Sequence, residues 1–164
     1  MITAEIAREM FEYDPDAGTL VRRHRMGNRC AGSLVDSVDK DGYVVISIGH
    51  RSIRRRYFAH RIIWLIVYGQ WPVNDIDHKN RVRNDNRISN LREATRLQNM
   101  ANRLAMRRSK TGIKGVSLHS ASGLYRACMG INRKHYNFGY FKTPEEAAAV
   151  IDKKFKEIYG EYAA

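Results

Sequence analysis

The feature that most constrains the fold is a change in the hydrophobic pattern near residue 107. Before that point, a helical pattern opened by a capping box predicts a helix over about Thr95–Met106. Residues 107–111 are basic and small, which is typical of a linker. The sequence therefore predicts two modules, residues 1–106 and 112–164, instead of a single core.

The first module joins a β-rich segment, residues 1–56, to a more helical segment, residues 57–106. Alternating residues in Gly42–Ile48 and Arg54–Phe58 predict a β-hairpin. The stretch His60–Tyr68 is apolar almost all round, which predicts a buried helix. We interpret His60, the first residue of this stretch, as a hydrogen-bonded core histidine, because a lone histidine in an apolar segment is more often a core residue than a metal ligand.

The second module shows three strand patterns followed by one helical pattern. The strands are predicted at Ile113–Leu118, Leu124–Ile131 and Tyr136–Phe141. The helix begins after Thr143, a typical N-cap residue, and ends at Gly160. One apolar stripe of this helix would pack on the sheet: Ala147, Ile151, Phe155 and Ile158. The fold class predicted for the whole chain is therefore α+β.

The charge of the chain indicates a polyanionic partner. Lys and Arg number 29 against 17 Asp and Glu, a formal net charge of +12 that attracts polyanions. No apolar run approaches the roughly 18 residues of a membrane-spanning helix, and no N-terminal signal segment is apparent. We therefore expect a soluble protein that binds double-stranded DNA, with no membrane partner and no small-molecule cofactor.

The two cysteines, Cys30 and Cys128, lie far apart and lack any Cys-x-x-Cys partner. This spacing excludes a disulfide framework and a zinc knuckle. We expect two free thiols in a reducing compartment, the cytoplasm.

Part of the positive charge lies on the second strand of the predicted hairpin, at Arg54, Arg55 and Arg56. Two interpretations stay open for these arginines. They can contact DNA, or they can protect a solvated strand edge from aggregation.

Four polar residues form the pattern that carries chemistry: Asp77, His78, Asn90 and Asn99. Asp77 and Asn99 offer carboxylate and amide oxygens, which suit Mg²⁺ or Mn²⁺ better than zinc. His78 is mostly neutral near pH 7 and can take a proton from an attacking water. Asn90 would accept a hydrogen bond from the other ring nitrogen and fix its tautomer. Each residue alone is more often a turn or cap residue, but together they predict a nuclease site.

The sequence around these residues resembles the phage-type HNH endonucleases over about residues 57 to 102. The matching stretches are Ala59-His60-Arg61, Ile76–Asn80, Asp85–Arg92 and Gln98-Asn99. The resemblance implies a ββα-metal fold in which Asp77 ends the first strand, Leu91–Ala94 is the second, and Asn99 lies on the helix. It also implies that Asp77 and Asn99 bind the metal, that His78 is the general base, and that Asn90 supports it.

Two positions depart from the usual pattern of that family. Asn99 stands where histidine is common, which favours a hard metal ion. Arg81 stands where relatives often have glycine, which adds a positive charge to the loop. The loop arginines Arg81, Arg83 and Arg87 can clamp phosphates or can simply be solvated.

The second module resembles the ethylene-response-factor, or APETALA-two, DNA-binding domain over about residues 110 to 162. The stretches that carry the resemblance are Gly112–Val116, Tyr125-Arg126-Ala127, Phe138–Phe141 and Thr143–Ala148. It implies a three-stranded antiparallel sheet in the major groove, with the helix packed behind. Candidate DNA contacts are Lys114, Arg126, Arg133 and Lys134, together with Ser117, His135 and Tyr136. A degenerate domain that serves only for packing is the alternative.

The combined prediction is a Mg²⁺- or Mn²⁺-dependent DNA endonuclease, acting as a monomer or homodimer. By resemblance it would be a phage-encoded homing nuclease working in the cytoplasm of a bacterial host. The rival hypothesis is a non-catalytic, sequence-specific transcriptional regulator whose nuclease module is a relic. RNA binding is less favoured, because the aromatic stacking motifs of single-strand readers are missing.

Overall fold

The computed structural model of the protein describes residues 2–49, 54–102, 110–131 and 134–162. It divides into two compact units, Met1–Arg96 and Leu97–Ala164. Most of the predicted linker, residues 107–111, lies outside the described residues, as do Arg133 and the end of the predicted Thr95–Met106 helix.

Among its described residues, the first unit contains three two-stranded antiparallel sheets, two α-helices and a short 3-10 helix, Ile88–Asn90. Its elements in chain order are α1 (Ala4–Met10), β1 (Phe11–Asp14), β2 (Thr19–Arg22), β3 (Val45–Ile48), β4 (Arg55–Phe58), α2 (Ala59–Tyr68), β5 (Asp75–His78) and β6 (Leu91–Ala94). The pairs are β1–β2, β3–β4 and β5–β6. The predicted hairpin and the predicted buried helix are both confirmed, although the hairpin turn at residues 50–53 is not described.

Helix α2 lies in the core of this unit because its apolar side chains are buried on several faces. Ile62, Ile63 and Leu65 are almost completely buried together with Phe11 and Leu20 of the first hairpin. The helix ends at Gly69, whose left-handed backbone (φ 76°) lets its amide donate to the Leu65 carbonyl. Ile76 of β5 and Leu91 of β6 belong to the same buried cluster, so the packing of α2 positions these two strands.

The second unit contains the three-stranded antiparallel sheet and the closing helix that the sequence predicts. Its elements are the strands β7 (Val116–His119), β8 (Leu124–Ile131) and β9 (Lys134–Phe141), in that order in the sheet, and the helix α4 (Pro144–Tyr159). The short helix α3 (Arg96–Ala101) begins on the last residue of the first unit. The predicted α+β class is confirmed.

Helix α4 packs on the sheet through three of the four residues predicted for its stripe, whereas Ile158, next to the last residue of the helix, is 43% exposed and was predicted wrongly. Ala147, Ile151 and Phe155 form one buried cluster with Val116 and Ala127 of the sheet. Thr143 caps the helix, since its side chain accepts from the Glu146 amide at 3.2 Å. Gly115 cannot be replaced without adjustment, because a Cβ there would lie 3.0 Å from Ile151 Cγ2. No helix of the described residues is long and apolar enough to cross a membrane.

Candidate active site

Strands β5 and β6 bring a buried ion pair together at the centre of the site. Their register pairs Asp77 directly with Arg92 and His78 with Leu91. Arg92 Nη2 and Nε lie 2.8 and 2.9 Å from Asp77 Oδ2. The two side chains are only 10% and 6% exposed. The arginine therefore holds the carboxylate in one orientation and balances its charge inside the protein.

Breaking this pair is expected to destabilise the first unit. Arg92→Met should lower the free energy of unfolding by about 3 kcal/mol, because a buried carboxylate loses its counter-charge. Urea denaturation followed by the fluorescence of Trp64 and Trp71, which both belong to the first unit, measures this loss. Arg23→Met, which breaks the exposed pair with Glu12, is the matched control. Equal losses in the two variants would contradict the prediction.

His78 is the second buried polar residue of the site and hydrogen bonds to Asn86. The side-chain atoms His78 Nε2 and Asn86 Oδ1 lie 3.0 Å apart, and the two residues are 4% and 3% exposed. Because an amide oxygen only accepts, Nε2 carries the proton and Nδ1 keeps its lone pair. Burial lowers the pKa of His78, and the Asn86 hydrogen bond and the charge of Asp77 oppose that effect. The ring is therefore neutral at pH 7 and able to accept a proton at Nδ1.

Asn90 does not contact His78, so the hydrogen bond predicted between them is wrong. Its Oδ1 accepts from the Asn80 amide at 3.0 Å, and its Nδ2 donates to the Asp85 carbonyl at 2.8 Å. The physical reason is the path of the loop. Asn90 ends a short 3-10 helix, Ile88–Asn90, directly before β6, and its side-chain oxygen and nitrogen both bond loop backbone groups, so neither is available to His78. Asn90 closes the loop between β5 and β6, and Asn86 holds the ring.

The loop between β5 and β6 is held by a network around Asp85. Arg87 donates from Nε and Nη2 to Asp85 at 2.8 and 2.6 Å, and Asn80 Nδ2 donates to it at 2.6 Å. The Arg87 hydrogen bonds lower the pKa of Asp85 to about 2. Asp85 is thus a structural carboxylate, and the guanidinium of Arg87 is engaged within the loop.

The other two loop arginines differ from each other. Arg83 donates to the Asp41 carbonyl at 2.6 Å and lies 5.0 Å from the centre of the Tyr43 ring. Arg81 is exposed and adopts a left-handed backbone with φ 64°, which glycine accommodates more easily. Arg83 and Arg87 both donate side-chain hydrogen bonds within the unit. Among the described residues, the exposed guanidinium of Arg81 makes no such hydrogen bond, so of the three arginines predicted to clamp phosphates it is the one left to bind a ligand.

The rings of His60 and Tyr43 pack against the ring of His78. The His60 ring lies 5.1 Å from the His78 ring and perpendicular to it, and the Tyr43 ring lies at 5.9 Å. Phe58 stacks on His60 at 5.3 Å. Burial lowers the pKa of His60 to about 3, and its Nδ1 has no hydrogen-bond partner among the described residues. His60 is therefore a neutral core histidine, as predicted. The hydrogen bond that was also predicted for it is not made by Nδ1 among the described residues.

The second predicted metal ligand, Asn99, lies on α3 and is half-buried. Within the described residues, no three His, Cys, Asp or Glu side chains cluster as a metal site. The candidate ligands thus stay those of the sequence prediction, the Asp77 carboxylate and the Asn99 amide. Both provide the oxygen atoms that hard divalent ions prefer.

The predicted DNA contacts of the first unit are exposed on β4 and just before it. Arg54 and Arg55 are exposed, and Arg56 is exposed while its Nη2 lies 3.0 Å from Asp39 Oδ2. In the second unit, Lys114 Nζ donates to the Met100 carbonyl and lies over the Phe155 ring. Its ammonium group thus contributes to packing within its own unit.

The remaining candidates of the second unit lie on β8 and β9. Lys134 is exposed, and Arg126 is half-buried in a cross-strand row with Ser117 and Tyr140. The Arg126 Nε has no hydrogen-bond partner in the described ranges. Since an unpaired buried donor is costly, this guanidinium is well suited to a ligand oxygen.

Two residues of the site, Asn86 and Arg92, were not predicted from the sequence. Arg92 could have been found from the strand pairing, because an antiparallel register that places Asp77 beside it gives an ion pair. Asn86 carries no such signal. Its position depends on the path of an irregular loop.

Comparison with known proteins supports the first of the two resemblances. Residues 57–101 match a family model of the HNH endonucleases. An uncharacterized HNH endonuclease, L560 of Acanthamoeba polyphaga mimivirus, is 34% identical over 110 residues, which cover 64% of this chain and 54% of the relative. The chain thus spans about half the length of this curated relative. No solved structure matches. The resemblance to the HNH endonucleases is thus supported over residues 57–101, and the APETALA-two resemblance stays a prediction.

Proposed function

We propose that a chain with an HNH endonuclease domain and this site hydrolyses phosphodiester bonds of double-stranded DNA, with His78 as general base. The observation that carries the proposal is the state of His78. It is buried, neutral at pH 7, and hydrogen bonded through Nε2 to Asn86, so that Nδ1 is the basic atom. This is the arrangement that proton abstraction from water requires.

The reaction follows from that arrangement. His78 Nδ1 takes one proton from a water molecule as the water oxygen attacks phosphorus. The bond from phosphorus to the leaving oxygen then breaks, and that oxygen takes a proton from solvent, giving a phosphate monoester and a hydroxyl end. The Asn86 oxygen stabilises the imidazolium that forms, because it accepts the hydrogen bond from Nε2. The proton on His78 afterwards passes to solvent, which restores the neutral ring.

A divalent cation, Mg²⁺ or Mn²⁺, would be held by Asp77 and Asn99. The family match runs from residue 57 to 101 and includes both residues. When bound, such an ion neutralises charge on the phosphate and on the leaving oxygen. Arg92 supports this role, since its ion pair keeps the Asp77 carboxylate oriented at the end of β5.

Exposed cations of each unit would hold the DNA backbone. In the first unit these are Arg54, Arg55, Arg56 and Arg81. In the second unit Lys134 is exposed and Arg126 is half-buried, and Arg133, which lies outside the described residues, is a candidate by sequence. One site per chain favours nicking by a monomer, or a staggered double cut by a homodimer. A phage homing role in a bacterial host fits the resemblance.

Cleavage of supercoiled plasmid in Mg²⁺, in Mn²⁺ and in chelator tests this proposal. Nicked or linear product that appears with metal and disappears with chelator is the expected result. A protein that shifts DNA in a gel but cuts it in none of these conditions would instead be a DNA-binding regulator.

Salt should weaken DNA binding steeply, because the net charge of +12 implies release of counterions from DNA. The logarithm of affinity is expected to fall with the logarithm of salt by roughly 0.9 per phosphate neutralised. Fluorescence anisotropy of a labelled duplex, in chelator to prevent cutting, measures this slope.

Arg55→Gln should reduce the salt slope by about one phosphate contact. Arg8→Gln is its control, because it removes the same charge but its guanidinium donates to the Ile66 carbonyl. A response to salt that is flat in the native protein would count against DNA as the partner.

A further inference from the structure

The N-terminal hairpin β1–β2 contacts the loop that carries Asn86. The Tyr13 hydroxyl on β1 donates to the Asn86 carbonyl at 3.1 Å and accepts from the Ile88 amide at 2.8 Å. A single hydroxyl thus bonds the backbone on both sides of Arg87. These bonds join residues that are 73 and 75 positions apart in the chain.

Gly18, in the turn of the same hairpin, lies against the same backbone. A Cβ built on Gly18 would lie 2.5 Å from the Arg87 amide nitrogen and 2.8 Å from the Asn86 carbonyl carbon. Gly18 also has a left-handed backbone, with φ 69°. Only glycine permits this approach, so the hairpin and the loop meet backbone to backbone.

The position of Asn86 depends on these contacts because the rest of the loop network does not bond its backbone. The network bonds Asn80, Asp85 and Asn90 to one another and reaches the backbone of Arg87, but it leaves out the backbone of Asn86 itself. Asn86 bonds His78 through its side chain and Tyr13 through its carbonyl. Burial raises the pKa of Tyr13, so its hydroxyl keeps the proton that it donates.

We infer that Tyr13 is a positioning residue for the hydrolytic reaction, which holds Asn86 and through it the ring of His78 in the productive orientation. The inference rests on the proposed function. We call the two hydrogen bonds of Tyr13 to the loop the brace. The hairpin that carries Tyr13 lies outside the matched residues 57–101, so the brace is an addition to the HNH domain. Tyr13 acts only through Asn86 and touches no reacting atom.

Tyr13→Phe tests the inference, because it removes only the hydroxyl oxygen. Plasmid cleavage should show a kcat lowered on the order of tenfold to a hundredfold, with KM unchanged, since misplacement of a catalytic group affects the chemical step. Tyr57→Phe is the matched control. Tyr57 is also half-buried in the first unit, and its hydroxyl has no hydrogen bond to the described residues. Its kcat should equal that of the native protein.

Gly18→Ala is the second variant and acts on the same contact through sterics. Gly27→Ala is its control, because Gly27 has a similar φ of 61° but no atom within 4 Å of the added Cβ. Both alanine variants carry the same backbone strain. Only Gly18→Ala is expected to lower kcat, and comparison of the thermal melting curves separates this loss from a loss of folded protein.

A spectroscopic measurement tests the brace without cleavage. In native protein labelled with ¹⁵N-histidine, the signal that is lost in His78→Gln should have the pattern of an Nε2-protonated ring at pH 7. Tyr13→Phe should convert it to a mixture of tautomers, while Tyr57→Phe leaves it unchanged.

The outcomes separate the two proposals. If the native protein cuts plasmid but Tyr13→Phe matches its control in kcat and in the His78 spectrum, the brace is refuted. A lower melting temperature with unchanged kcat also refutes it, since Tyr13 would then be merely structural. If the native protein cuts nothing, the proposed function fails, and the His78 spectra alone decide whether Tyr13 positions the ring.

Discussion

His78→Ala is expected to lower the rate of plasmid cleavage by about 10²- to 10⁴-fold, the usual contribution of a general base. Alanine removes the only group in the site that we propose to take the proton from water. DNA affinity measured in chelator should stay within about twofold of native, because His78 is 4% exposed and so presents little surface to the phosphate backbone.

The matched control for this prediction is His24→Ala, since His24 is an exposed histidine of the same unit. It should cut at the native rate. An His78→Ala variant that remains folded and cuts as fast as His24→Ala would remove His78 from the mechanism. An alanine variant that loses DNA binding together with cleavage would instead make His78 a binding residue.

Acid should destabilise the first unit through His60. In the folded protein burial lowers the pKa of this histidine from 6.5 to about 3. Between these two values the unfolded chain binds a proton that the folded chain does not bind, so stability falls as the pH is lowered from 6.5 towards 3. Each pH unit of this window contributes about 1.4 kcal/mol, which gives a total loss of about 5 kcal/mol. At pH 7 the stabilisation is fully present.

His60→Phe should remove this part of the acid sensitivity. Phenylalanine keeps an aromatic ring beside Phe58 and Tyr43 and has no ionisable group. It also replaces a buried nitrogen that lacks a partner among the described residues. Urea denaturation at several pH values, read from tryptophan fluorescence, should give a flatter profile for His60→Phe than for the native protein. His24→Phe, at an exposed position, should retain the native slope. Parallel profiles for His60→Phe and the native protein would contradict the assignment.

Local patterns were sufficient to predict most of the elements. Helix α2 follows from an apolar stretch that ends at Gly69, and α4 follows from the Thr143 cap and its apolar stripe. These signals depend on residues only a few positions apart, so they do not depend on how distant parts of the chain fold. The positions of Asp77 and His78 on a strand were likewise correct, because the resemblance supplied the register that periodicity lacked.

Long-range contacts limited the prediction of the site. The choice between Asn86 and Asn90 as the partner of His78 depends on which face of the loop each side chain occupies. A one-residue change of register reverses that face, and composition does not specify it. The contact of Tyr13 with the loop could not be predicted either, because its hydrogen-bond partners lie more than 70 positions along the chain.

That distance has a consequence for the order of folding. Closing a loop of some 75 residues costs conformational entropy before any contact compensates it, which raises the contact order of the unit and slows its formation. During synthesis the hairpin emerges first and must wait for residues 86–88 before the two can bond. His78 therefore acquires its final orientation only after residues 86–88 have left the ribosome, so under the proposed function partly made chains would be poor nucleases.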